Sequence, residues 1–172
     1  MENKKQKAND LMKIENFIDY NQKLKVEDKT FEKLMFIYSI AIRELEIKIE
    51  ILKDEFKIFY DYDLIDHVNT RIKTPESIIN KMKNRGLELT YKEMVKNVND
   101  IAGVRIICPL KKDIFSIKEL IRKFPGIQIF KEKDYVTKPK KSGYSSYHLI
   151  VEVPVTLSQN IIYVKVEIQI RT

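Results

Sequence analysis

Ile161-Ile162-Tyr163-Val164-Lys165-Val166-Glu167-Ile168-Gln169-Ile170-Arg171-Thr172 alternates apolar and polar residues with period two. Successive side chains of a strand point to opposite faces, so Ile162, Val164, Val166, Ile168 and Ile170 share one face and Lys165, Glu167, Gln169 and Arg171 the other. The apolar face requires helices to cover it. The polar face is either solvated, as is common in antiparallel sheets, or lines a cleft. Charged groups beside core strands are usually paired or functional, so the search for a site starts here.

Working back along the chain, a second strand is expected over about 144–154, joined to the last through Pro154 to Asn160 as an antiparallel hairpin. On it Tyr144, Ser146 and His148 share parity, which places an aromatic, a hydroxyl and an imidazole on one face near Glu167. A lone histidine is more often structural than catalytic; one beside Glu and Gln on a polar face is a better candidate. Residues 132–143 read as a Lys/Pro/Gly loop, and 127–131 as a strand after the Pro125-Gly126 turn. Lysines leading to Tyr144 suit a nucleotide, with phosphates on Lys and a base on Tyr. An amphipathic helix with Ile114, Ile117, Leu120, Ile121 and Phe124 inward precedes that turn, and a strand over about 101–107 ends before Pro109.

Asp100 stands at the entrance to that strand, next to Gly103 and Arg105. With Glu167 on a partner strand it offers two carboxylates, a way to hold Mg²⁺ together with substrate phosphates; the spacing alone leaves open whether the two acids meet. Thr90-Tyr-Lys-Glu93 is a capping box for a short helix to about Val98. Thr74-Pro75-Glu76 starts a helix that runs to about Arg85 and stops at Gly86. Ser77, Lys81 and Arg85 share a face of it, with Arg71 and Lys73 just ahead of its N-terminus. That set reads as a polyphosphate clamp, or as a solvated basic face.

The N-terminal part differs. Asn9 or Asp10 is placed to cap a short helix carrying Leu11, Ile14, Phe17 and Ile18. A long helix is expected from Glu27–Thr30 to about Phe59. Its apolar stripe is widened by Phe36, Ile37, Ile40, Ile47, Ile51 and Ile58, which suggests two buried sides. The second side would face a subunit neighbour, or the helix would lie deep in one domain. Helices followed by a mixed sheet of about four to five strands flanked by helices give an α/β (α+β) class.

Composition narrows the function. The 172 residues are 44% hydrophobic and 33% charged, as in a folded globular chain. No apolar run reaches the length of a membrane span and no secretory signal is visible, so a cytoplasmic protein is expected, with no membrane partner. The single Cys108 excludes a disulfide framework, and two histidines exclude a multi-histidine metal site. Residues 1–70 carry 12 basic and 15 acidic side chains, the remainder 20 and 10. A basic half implies an anionic partner such as nucleotide phosphates or RNA. A Walker A sequence and a dinucleotide glycine fingerprint are both missing.

Four blocks carry a resemblance: Arg71-Ile-Lys73-Thr-Pro-Glu-Ser77 with Lys81; Asp100-Ile-Ala-Gly-Val-Arg105; Asp134-Tyr with Lys140, Gly143-Tyr144 and His148; and Glu167-Ile-Gln169-Ile-Arg171-Thr172. In this order they resemble the synthetase domain of the RelA/SpoT family, with its nucleotidyltransferase-like fold, and among its members the small single-domain alarmone synthetases. The resemblance implies a domain over 61–172, with 1–60 a helical segment that packs on it or forms an oligomer interface. Family members continue into C-terminal helices, which implies a domain that stops short of them here.

The implied activity is that of a GTP diphosphokinase: the pyrophosphate of ATP passes to the 3′-hydroxyl of GTP or GDP, with Mg²⁺ and release of AMP. By resemblance, Arg71 and Arg105 take the adenine, and Lys73, Ser77, Lys81 and Arg85 the ATP phosphates. Asp100 and Glu167 bind Mg²⁺, with Glu167 also the base. Lys133, Lys140, Ser142, Tyr144, His148 and Gln169 hold the acceptor nucleotide. A homo-oligomer, a tetramer in full-length form, is implied. Ser145 stands where the family often has Arg, and Ser142 where many members have Asn, which bears on acceptor preference. Asp66-His67 reverses the order of the hydrolase motif, so hydrolysis is not expected. The alternatives are a toxin-type tRNA 3′-end pyrophosphotransferase and a non-catalytic nucleotide- or RNA-binding regulatory module.

Overall fold

The computed structural model describes residues 11–14 and 22–172. Its frame is a six-stranded sheet. The strands are β1 (Leu11–Lys13), β2 (His67–Ile72), β3 (Ala102–Ile107), β4 (Gln128–Asp134), β5 (Tyr147–Thr156) and β6 (Ile161–Arg171). Five run in the order β2-β3-β6-β5-β4, and β1 pairs with β6 off that path. The sheet is mixed: β3 runs parallel to β6, and β2–β3, β4–β5 and β5–β6 are antiparallel. The helices are α1 (Lys29–Tyr60), α2 (Pro75–Asn84), α3 (Tyr91–Asn97) and α4 (Lys111–Arg122).

The period-two reading of the last strand describes β6 well. Ile162, Val164, Val166, Ile168 and Ile170 are all buried, while Tyr163, Lys165, Glu167, Gln169 and Arg171 are partly open. Val104 and Ile106 of β3 and Leu149, Val151, Val153 and Val155 of β5 join the buried face. Against it α1 sets Phe31, Leu34, Ile37, Tyr38, Ala41, Ile42, Leu45 and Ile49, and α4 sets Ile114, Ile117 and Ile121. These two helices cover the apolar face, and the polar face of β6 lines a cleft.

Several expectations change. The short N-terminal helix is replaced at Leu11–Lys13 by strand β1, which pairs in parallel with Ile161–Tyr163; β3 reaches β6 only from Glu167 onward, so that edge is open to another strand. Phe17 and Ile18 lie outside the described residues. β2 was not anticipated from the sequence. Its sequence has no apolar alternation and it is almost wholly exposed, yet β3 offers it a partner edge through Gly103–Ile107. Pro154 lies inside β5 rather than at its end. The pairing of β4 with β5 stops at Glu152, so no ladder bond from the missing N–H is needed on that side. β4 runs on to Asp134, and β5 starts at Tyr147 rather than Tyr144. The second side of α1 is not buried within the chain: Phe36, Ile47, Ile51 and Ile58 are exposed.

Candidate active site

Two helices with capped starts flank the cleft. Thr74 caps α2: its hydroxyl accepts from the Ser77 N–H at 3.2 Å and donates to the Ser77 hydroxyl at 2.9 Å. Pro75 supplies the first helical position, and Gly86 at φ 66° closes the far end in a conformation that glycine adopts freely. Ser77 and Lys81 are thereby fixed on one face. At α3, the Thr90 side chain accepts from the Glu93 N–H at 3.2 Å. The Glu93 carboxylate turns instead to the Asn97 amide at 2.7 Å, so half of the expected capping box is present.

Asp100 follows α3 and gathers the basic residues. One carboxylate oxygen accepts from Lys81 at 2.8 Å and the other from Lys73 at 3.2 Å. Burial works against the charged carboxylate, but the hydrogen bonds and charges of Lys81 and Lys73 outweigh it and hold its pKa below the ordinary value. Arg85 lines the same cleft and donates to the Asn97 carbonyl at 2.7 Å.

Three residues further on, Gly103 sits opposite Glu167 in the β3–β6 register and opposite Arg71 in the β2–β3 register. A Cβ at Gly103 would stand 3.5 Å from the Arg71 side chain, an ordinary van der Waals contact, so Arg71 lies directly over Gly103. Arg71, Arg105, Gly103, Asn69, Gln169 and Glu167 enclose a cavity of ≈ 100 Å³ with a guanidinium on either strand. Arg105 and Gln169, paired in register, touch at 3.4 Å. A larger cavity of ≈ 290 Å³ is lined by Lys81, Arg85 and Asp100 on one side and Lys131, Lys133 and His148 on the other. Glu167 lines both cavities.

Glu167 is held from β5. His148 Nδ1 donates to its carboxylate at 3.0 Å, and His148 Nε2 meets the Tyr144 hydroxyl at 2.9 Å and the Ser146 hydroxyl at 2.7 Å. Burial pushes the Glu167 carboxyl up, but the His148 contact outweighs it and the pKa settles below the usual carboxylate value; the charge of Asp100 acts in the opposite sense, which places the two acids within electrostatic reach. The Tyr144 ring carries Lys140 Nζ at 5.3 Å and the Arg171 guanidinium at 5.5 Å from its centroid. Gly143, at φ 82°, makes the turn that presents Tyr144 after the exposed Ser142, its N–H donating to the Lys140 carbonyl at 2.8 Å.

The sequence-derived residues thus fall around one cleft: Arg71, Arg105 and Gln169 at one cavity, Lys81, Arg85, Asp100, Lys133 and His148 at the other, Glu167 between, and Lys140 and Tyr144 beside His148. Lys73 is brought in through Asp100 and Ser77 through the cap of α2. Contributors not assigned a role from sequence include Asn69, Asn97, Asn99, Lys131, Tyr135 and Arg171. Arg171 was legible by parity with Glu167. Tyr135, whose ring lies 5.3 Å from His148, follows a strand that runs further than its pattern indicates.

Asp100 and Glu167 suit a hard cation. Both carboxyls are held below the ordinary value and Asp100 acts on Glu167, and Mg²⁺ binds through one or two carboxylates with phosphates and water completing the shell. Among the described residues no group of three or more His, Cys, Asp or Glu is placed to hold a metal.

A basic, partly buried cleft with paired arginines, clustered lysines and two ionised acids defines a protein that handles phosphorylated nucleotides. The pattern described as the region found in RelA / SpoT proteins matches residues 70–172. The chain belongs to the RelA/SpoT family. It is 40% identical over 149 residues to the GTP pyrophosphokinase YwaC of Bacillus subtilis, covering 87% of this chain and 71% of that protein. The crystal structure of small alarmone synthetase 1 from Bacillus subtilis bound to its product pppGpp superposes with a TM-score of 0.77 at 33% identity, covering 84% of this chain and 73% of that one. The same enzyme bound to AMPCPP gives 0.71 at 30% identity, covering 84% and 72%.

Proposed function

We propose that this protein transfers the β,γ-pyrophosphate of ATP to the ribose 3′-hydroxyl of GTP or GDP, making pppGpp or ppGpp and releasing AMP, as a source of stringent-response signal. The observation that carries this reading is the position of Glu167, shared by a cavity between two arginines and a cavity lined by lysines, with a stacking tyrosine close by. The names of the relatives support it: GTP pyrophosphokinases, and synthetases solved with pppGpp and with AMPCPP.

In this mechanism Arg71 and Arg105 hold the adenine between their guanidinium planes. Lys73, Ser77, Lys81 and Arg85 hold the ATP phosphates, charge-assisted bonds being the strong ones. Tyr144 stacks on guanine, and Lys133, Lys140, Ser142, His148 and Gln169 position the acceptor. Glu167 takes the proton of the 3′-hydroxyl as the oxygen attacks the β-phosphorus; the bond from that phosphorus to the bridging oxygen of the α-phosphate breaks, and AMP leaves with that oxygen. Asp100 and Glu167 are the residues that would hold Mg²⁺, which supplies charge neutralisation on the transferred group. Positioning and electrostatics carry such a transfer, with little covalent work for the protein.

The substrates are those of the cytoplasm, where we place the protein; among the described residues no helix is long and apolar enough to cross a membrane. Residues 61–172 form the synthetase unit in this reading, and the exposed stripe of α1 meets a second copy in a homo-oligomer. The test is incubation with labelled ATP and Mg²⁺ and, separately, GTP, GDP, GMP and uncharged tRNA, with products resolved by chromatography. Labelled guanosine polyphosphate with AMP is expected, reduced about 10²- to 10⁴-fold in Glu167→Gln with ATP binding retained. Label on tRNA alone would move the protein to another substrate class, and binding without transfer to any acceptor would leave only a regulatory module.

A further inference from the structure

Ser146 has no role in the reaction described above, yet it is fully buried and polar, and it lies against the one histidine in the cleft. His148 Nδ1 faces the Glu167 carboxylate at 3.0 Å and must carry the hydrogen there, since an ionised carboxylate only accepts. In the neutral ring Nε2 then has a single lone pair. Two hydroxyls compete for it, Ser146 at 2.7 Å and Tyr144 at 2.9 Å.

The two donors differ in how firmly they are held. Tyr144 is half-exposed, precedes β5 in an irregular segment, and has a ring flanked by two cations. A tyrosine that turns to stack on a base takes its hydroxyl with it. Ser146 is enclosed, and its own carbonyl is tied to the Tyr135 N–H at 2.9 Å, directly ahead of β5. The Ser146 hydroxyl is therefore the donor that stays.

We infer that Ser146 is a positioning residue: its hydroxyl holds the His148 ring with Nδ1–H on Glu167 while Tyr144 is engaged with the acceptor base. This rests on the proposed function for the identity of the acceptor. Without the Ser146 hydroxyl, engagement of Tyr144 leaves Nε2 partly buried and unpaired, a state that favours rotation of the ring to another partner. Glu167 then loses its fixed orientation toward the 3′-hydroxyl. Outer groups that orient a reactive group in this way are typically worth about 10- to 100-fold in activity.

The experiment uses Ser146→Ala, Ser146→Thr and Ser146→Val. Thr and Val have the same shape and differ only in the hydroxyl, so the pair separates the hydrogen bond from packing at this enclosed site. The expected result is a fall in kcat of about 10- to 100-fold in the Ala and Val variants. The KM for ATP stays unchanged, and Ser146→Thr keeps most of the rate. The second readout is ¹⁵N imidazole NMR, whose shifts report which ring nitrogen bears hydrogen. In a His67→Gln background, His148 gives the sole imidazole signal. With GDP bound, the parent should show one form, protonated at Nδ1, and Ser146→Ala a mixture. Equal rates for Thr and Val, or an unchanged spectrum in Ser146→Ala, would overturn the inference. If the parent protein makes no guanosine polyphosphate, the proposed reaction falls, and the spectra still decide the role of Ser146.

Discussion

At the residue scale, Asp100 is the junction of the basic cluster. Each carboxylate oxygen holds one lysine ammonium, so the acid draws two like charges together and offsets their repulsion. Because its pKa is lowered in the fold, its stabilising contribution is complete above the unfolded value, near 3.9, and is lost as pH falls through the lower folded value. Glu132, tied to Tyr147 and Arg122, is lowered as well and adds to the same loss. The melting temperature followed by circular dichroism should therefore drop between about pH 5 and pH 3. In Asp100→Asn it should start lower and fall less steeply. Much of this site was legible in the sequence, because charged residues on a strand that is apolar on its other face stand out. What could not be read was contact between segments distant in sequence. That Asp100 meets Lys73 and Lys81 depends on how α2 packs, and that His148, opposite Gln169 in the ladder, reaches diagonally to Glu167 depends on sheet register, which is fixed by partners that the pattern of one strand does not name.

At the scale of elements, the cap of α2 links stability to the site. The hydroxyl of Thr74 satisfies the Ser77 N–H and orients the Ser77 side chain, one turn before Lys81. Thr74→Ala should cost about 1 kcal/mol in denaturant unfolding and raise the KM for ATP with kcat much less affected. This helix was visible from its start and stop signals and α3 from its capping box, while α4 and the long α1 were visible from apolar periodicity. β2 was not, since an exposed edge strand has no buried side to impose alternation. His67–Ile72 is extended because β3 offers it hydrogen bonds, and the consequence for function is direct: Arg71 comes to lie across from Gly103. β1 misled in the opposite way. Leu11 and Ile14 are spaced as on a helix, but an unoccupied edge of β6 takes Leu11–Lys13 as a strand.

At the scale of the molecule, α1 and α4 pack on the apolar face of the sheet, and the polar face of β6 lines the cleft. α1 is left with a second apolar side on which Phe36, Ile47, Ile51 and Ile58 follow one another at whole-turn intervals. Ile47→Asp with Ile51→Asp should lower the mass measured by light scattering while changing the monomer fold little. Leu45→Ala, at a fully buried position on the other side, should instead cost about 2–5 kcal/mol of stability. The parallel pairing of β3 with β6 has a further consequence, in the order of synthesis. The strand bearing Glu167 follows every other strand in sequence. Until the ribosome has released it, the β3 edge at Gly103–Ile107 and the inner edge of β5 have no partner. A nascent chain therefore carries two open strand edges, and needs shielding from its neighbours on the polysome.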